Sequence, residues 1–293
     1  ESLPEFPEAE VKRAESLRAT PFDPENPLIL HREVDYAEGP SAPWWPKEES
    51  PVLKPLVEKG VLPPLIERVG PEPVVYEPVE ENGEYGGTFI ELVPGTGDAS
   101  RAEFYYSGGG LVKWSPQGYP IVPHLAKSWE VNEDLTEWIF TLRKGLRWSD
   151  GHPFTADDIL YWWEVEQLSD SNPEISRLML VNGKPGNIEK IDDLTVRFTF
   201  PLPHGVFLER LATWDGRDLV DTPRHYLEKY HVDTGDPEFI EENRKILQSP
   251  TATAAYTLRI RRFDNPEHPR MWPWVYRAHK ANPPYGWVRN PYY

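Results

Sequence analysis

Paired carboxylates are the first candidates for chemistry in this chain. Asp157-Asp158 and Asp192-Asp193 each place two acids side by side. Such groups serve as general acid and base, or hold a divalent cation. Asp157 and Asp158 fall in the first turn of a predicted helix, Thr155–Gln167, where carboxylates complement the helix dipole. Asp192 and Asp193 fall in a turn before a predicted strand. Both pairs therefore read as structural, and Asp150-Gly151 reads as a turn. No spacing supports a carboxylate pair flanking a glycosidic bond. Gly108, Gly109 and Gly110 could cradle a phosphate, but no Lys-Ser/Thr follows, so a flexible turn is expected. The eight histidines form no HExxH motif, and no GxSxG elbow, Walker loop, EF-hand loop or dinucleotide fingerprint occurs. The absence of cysteine excludes disulfides, thiol catalysis and Cys-ligated metal. No catalytic residue, metal or cofactor is expected.

The remaining chemical signal is aromatic. The chain has 12 tryptophans, and flat indole faces stack on sugars and line peptide pockets, although most indoles are core groups. Trp214 is the first choice as a ligand contact, because it follows a predicted helix, 204–212, and sits in a predicted loop, 213–218.

The elements that must position these residues are mixed. Strands are predicted at 88–93, 138–143, 194–200, 256–263, 275–278 and 286–289 from composition and period-two alternation. Helices are predicted at 8–17, 51–59, 155–167 and 237–248; Thr155 and Asp158 have capping-box spacing, and Asp236-Pro237 opens the last. The order lacks a regular βαβ beat, which argues for α/β of the mixed α+β kind. Of 33 prolines, 15 lie in residues 1–80, together with 17 acidic and 8 basic residues. This leader is expected to be extended, yet Trp44, Trp45, Leu53, Leu56, Val57, Leu62, Leu65 and Ile66 are too apolar for a free tail. Much of it is expected to strap onto the body. The net charge of −17 argues against nucleic acid or an anionic membrane as partner. No 18-residue apolar run and no basic-then-apolar leader occur, so the expectation is a cytosolic protein or a chain already processed.

Residues 123–164 read PHLAKSWEVNEDLTEWIFTLRKGLRWSDGHPFTADDILYWWE. Pro123 to Trp129, Trp138 to Arg143 and Arg147 to Asp158 resemble, in order, the signature of bacterial extracellular solute-binding proteins of the oligopeptide/dipeptide/nickel type. These capture substrates for ABC importers. IDDLTVRFTF (191–200), TPRHYLEKYH (222–231), TAAYTL (253–258) and VRNPYY (288–293) resemble further family segments, with Ala254 where a Gly is usual. The proline-rich stretch 56–88 is similar to a leader in one branch of the family.

The resemblance implies a periplasmic-binding-protein-like lobe I with a small inserted domain, the second large lobe lying beyond Tyr293. Its expected divisions are a leader (1–86), the first part of lobe I (87–113), an intermediate domain (114–200) and continued lobe I (201–293). It implies a non-enzymatic binding protein, periplasmic or at the cell surface after signal-peptide removal. Its implied partners are a small solute, importer membrane subunits and the remainder of the protein. An oligopeptide is the default solute, and an oligosaccharide is the alternative. Rival classes are a glycan-active hydrolase and a truncated adaptor whose leader docks a partner. By family position, Thr96, Gly97 and Asp98 in the loop after the first strand, and Thr253, join Trp214 as expected ligand contacts.

Overall fold

The computed structural model describes residues 7–19, 21, 23–25, 30–77, 83, 85–90, 92, 95, 108–169, 174–262, 265–277 and 286–293. Strands β1 (Val112–Trp114) and β2 (Ile121–Pro123) pair antiparallel. Then follow β3 (Ala126–Val131) and β4 (Glu137–Leu142), a short hairpin of β5 (Leu180–Val181) and β6 (Lys184–Pro185), and β7 (Asn187–Asp192) and β8 (Thr195–Thr199). Strands β3, β4, β8 and β7, in that spatial order, make an antiparallel sheet. Alternation along β4 buries Trp138, Phe140 and Leu142, while β8 buries Val196 and Phe198 on the same face. The register sets Trp138 opposite Phe198 and Phe140 opposite Val196. Cross-strand pairs of this type are the stabilising unit of a sheet.

Two elements cover that face. The first is the helix Ala156–Tyr161. Thr155 accepts from the Asp157 N–H, and the Asp158 carboxylate accepts from the Thr155 N–H at 3.0 Å, so the capping box forms as the spacing predicts. The helix widens into a π-turn at Trp162–Gln167, and both Trp162 and Trp163 are buried there. The second is the helix Phe207–Leu211. The Phe207 ring lies 4.9–6.2 Å from the rings of Trp138, Phe140, Phe198 and Phe200. It is the hub of the core.

The leader does strap onto the body in part. Trp45 and Leu53 are buried, whereas Leu56 and Ile66 stay exposed. The leader also folds on itself, with Arg32 and Glu77 N–H groups bonding Val75 and Leu30 carbonyls at 2.8 Å. It crosses the body where Gly70 meets Gly145; a Cβ on Gly70 would lie 2.5 Å from the Lys144 carbonyl oxygen. Only glycine allows that approach.

Two strand expectations need correction or restriction. Residues 256–263 do not begin as a strand: Ala252–Arg259 is a helix, capped by Thr251 accepting from Ala254 N–H. Three alanines in its first turns, one of them Ala254, favour helix, and the helix buries Ala255 and packs Tyr256 with Tyr226, Leu227 and Tyr230. At 88–93 the described residues 88–90 and 92 are not in a strand, and 91 and 93 lie outside the description. The short strands near the end do form, as β9 (Trp274–Tyr276) paired with β10 (Trp287–Arg289).

Truncating the hub is therefore expected to cost more than removing the cap. Phe207→Ala should lower unfolding free energy by about 3–5 kcal/mol, and Thr155→Ala by about 1 kcal/mol. Urea unfolding followed by tryptophan fluorescence checks both; equal costs would show that Phe207 is not the hub.

Candidate functional site

Trp214 opens a tight 3-10 turn, Trp214–Gly216, after the helix Phe207–Leu211. The turn folds back because residue 216 is glycine: a Cβ there would lie 2.1 Å from the Leu211 carbonyl oxygen. Gly110 faces the same junction, where a Cβ would lie 3.2 Å from the carbonyl oxygens of both Leu211 and Gly216. At Gly108 a Cβ would lie 2.6 Å from the Met271 carbonyl oxygen. The glycine run thus serves close backbone packing beside the Trp214 turn, and its spacing needs no phosphate.

The Trp214 indole is 44% exposed. One face carries the Arg217 guanidinium, 3.5 Å from the ring centroid. Arg217 stands 3.5 Å from the Asp221 carboxylate, which is 2% exposed and accepts from the Trp272 indole N–H at 2.8 Å. Arg262 joins the same carboxylate at 3.2 Å and Asp218 at 2.7 Å. Trp214 therefore stands on a charge-paired platform that fixes the ring plane. A partly exposed planar ring braced in this way offers apolar surface to a sugar or a peptide side chain. Arg262 follows the helix Ala252–Arg259, so that helix is tied to the platform at its C-terminal end. Thr253 is exposed in its first turn, and its carbonyl accepts from the Thr257 hydroxyl at 3.0 Å. Thr253 and Trp214 are thus at opposite ends of this arrangement. Thr96, Gly97 and Asp98 lie outside the described residues.

The acidic pairs hold the scaffold. Asp157 and Asp193 both pair with Lys190, at 2.9 and 2.7 Å. Asp158 is buried, accepts from the N–H groups of Thr155 and Arg224, and is pushed upward in pKa by its burial. Asp192 accepts from the Leu194 N–H. Asp150 bonds His225 Nε2 at 2.7 Å, and His225 stacks on His152 with centroids 3.9 Å apart. Among the described residues no group of three or more His, Asp or Glu is placed to hold a metal ion.

Sequence reasoning missed a cavity of about 460 Å3 between leader residues 44–76 and the body. Its only forewarning was the apolar content of the leader. Arg68, 2% exposed, is part of its lining: it bonds the Pro63 carbonyl at 2.9 Å, the Pro291 carbonyl and the Glu49 carboxylate. Arg143, 6% exposed, donates to the His124 carbonyl and the Tyr36 hydroxyl. His124 is buried and its pKa is lowered to about 3, chiefly by desolvation and then by Lys113; its Nδ1 lies 3.0 Å from the Gly110 carbonyl. It is a neutral hydrogen-bonding group at ordinary pH.

Residues 120–258 match the profile described as "Bacterial extracellular solute-binding proteins, family 5 Middle". The periplasmic alpha-galactoside-binding protein of Rhizobium meliloti (strain 1021) is 30% identical over 174 residues, 53% of this chain and 25% of that one. In solved structures, an oligopeptide-binding protein OppA superposes with a TM-score of 0.79 at 33% identity, over 86% of this chain and 39% of that one. The periplasmic binding protein MelB of Agrobacterium fabrum C58, in complex with stachyose, gives 0.62 at 25% identity, over 85% and 38%. The chain thus spans well under half the length of each.

One buried and one partly buried group make stability depend on pH in opposite senses. His124 has a folded pKa near 3 against an ordinary 6.5. The unfolded chain therefore binds the extra proton, and His124 costs stability as pH falls from 6.5 towards 3. Glu166, which accepts from the Tyr256 hydroxyl, is raised to about 7, first by burial and then by Asp218. Here the folded chain holds the extra proton, and stability is lost as pH rises from 4.5 to 7. His124→Gln should flatten the loss on the acid side, and Glu166→Gln should flatten the loss towards neutrality, each by at most about 1.4 kcal/mol per pH unit. Urea midpoints from pH 4 to 7.5 test this; parallel curves for both variants and the parent would refute it.

Proposed function

Because residues 120–258 belong to the bacterial extracellular solute-binding proteins of family 5, we propose that this chain is the solute-capturing part of an ABC importer. It works outside the cytoplasm, takes an oligopeptide or similar solute, and catalyses no reaction. The observation that carries this reading is the superposition on OppA over 86% of the chain at 33% identity. Family position suggests Thr96, Gly97, Asp98 and Thr253 for the solute side, and Trp214 is added as a separate candidate contact because its indole is exposed and braced by Arg217 and the buried Asp221. An oligosaccharide is the second reading. It is favoured by the likeness to the stachyose complex of MelB and to the alpha-galactoside-binding protein, together with the exposed indole.

Calorimetric titration with tri- to pentapeptides and, separately, with raffinose and stachyose distinguishes the two. Trp214→Ala should weaken the bound class by roughly tenfold, the loss of about 1–2 kcal/mol expected for one aromatic contact. Asp98→Ala should weaken a peptide through its amino group more than a sugar. Unchanged affinity in both variants would remove these residues from the site, and binding of neither class would overturn the proposal for this chain.

A further inference from the structure

The cavity between leader and body falls within the size range of small-molecule sites. Its lining combines flat apolar rings, Trp44, Tyr76 and Tyr292, with four cations besides Arg68, namely Arg143, Lys144, Arg147 and Arg289. Among the described residues none of the four is ion-paired to a carboxylate. Arg143 donates to a carbonyl and a hydroxyl, Arg147 to the Gly151 carbonyl, and Arg289 lies 5.6 Å from the Tyr85 ring centroid. Of the three carboxylates at the wall, Glu49 is held by Arg68, and Glu72 by Lys127 and the Lys144 N–H. Glu48 remains. A chain of net charge −17 has thus gathered an excess of positive charge around one half-apolar hollow. Ser50, 3% exposed, adds a buried hydroxyl at the wall with no hydrogen-bond partner among the described residues. A buried polar group left unpaired is costly, so an acceptor or donor is wanted there.

We infer that this cavity is a second binding site, for a small organic anion with a flat apolar body, of the aryl carboxylate class. Rings contribute the apolar surface, and the unneutralised guanidinium and ammonium groups recognise the acid. The site shares no residue with the Trp214 platform, so it stands or falls apart from the solute-capture reading.

Calorimetry on the intact chain with phenylacetate, phenyl phosphate and uncharged phenylacetamide tests it. Phenylacetate should bind in the micromolar to millimolar range, and phenylacetamide about tenfold or more weakly. Lys144→Gln and Arg289→Gln, neither of which removes a hydrogen bond the fold uses, should each weaken phenylacetate severalfold. Trp214→Ala should leave it unchanged. Equal binding of acid and amide, insensitivity to both Lys144→Gln and Arg289→Gln, or no heat with phenylacetate up to millimolar concentration would overturn the site. Tighter binding of phenyl phosphate would overturn the carboxylate assignment in favour of a phosphate.

Discussion

Buried guanidinium groups are the constraint on which the rest of this structure depends. An arginine cannot lose its charge, and its five N–H donors must find acceptors once water is removed. Arg270 is fully buried and gives its donors to the carbonyls of Arg262, Asn265 and His268. Its own backbone exchanges bonds with Ser149, and its carbonyl accepts from Asn290. Arg68 and Arg143 do the same for the leader, binding Pro63, Pro291, Tyr36 and His124. Each ties together segments that have little regular secondary structure. Where a sheet would satisfy backbone carbonyls by pairing, these stretches satisfy them with side-chain cations. That is how a proline-rich leader, unable to build helices or ladders through much of its length, still joins the core.

The aromatic residues divide by the same logic of satisfaction. Trp138, Trp148, Trp162, Trp163 and Trp272 are buried, and Phe207 gathers rings from β4, from β8 and from Phe200 beyond it. Trp163 and Trp272 spend their indole N–H groups on Asn187 and Asp221. The Trp272 bond links the core to the surface platform, because Asp221 is also the anion that steadies Arg217 beneath Trp214. Half of the tryptophans are thus buried packing groups, while Trp214 and Trp274 stay exposed, and of these two Trp214 is the one braced by Arg217.

Much of the fold was legible in the sequence because its signals are local. The alternation of WIFTLR and LTVRFTF declares two half-buried strands, and they pair as β4 and β8. Thr155 with Asp158, and Asp236 before Pro237, declare two helix starts within four residues each. Where local signals conflicted, reading failed. YTLRIRRF has the composition of a strand, but Thr251 and the alanines before Tyr256 nucleate a helix that buries Tyr256 among other tyrosines.

The candidate site was less legible, because its geometry is made of long-range contacts. Trp214 was visible as a loop aromatic; that Arg217, Asp221, Arg262 and Trp272 would brace it was not, since up to 58 residues separate them in sequence. The glycine run at 108–110 could be read as a turn, yet only the approach of Met271 to Gly108, and of Leu211 and Gly216 to Gly110, shows how closely its backbone is packed. The sequence by itself determined strand alternation, helix caps, the acidic balance and the family likeness, all of which are written in neighbouring residues. The tertiary structure alone decided which buried charges meet, where the leader lies and what hollow it encloses. Those outcomes follow from desolvation and close packing, which act on residues brought together in space and leave no period or spacing along the chain.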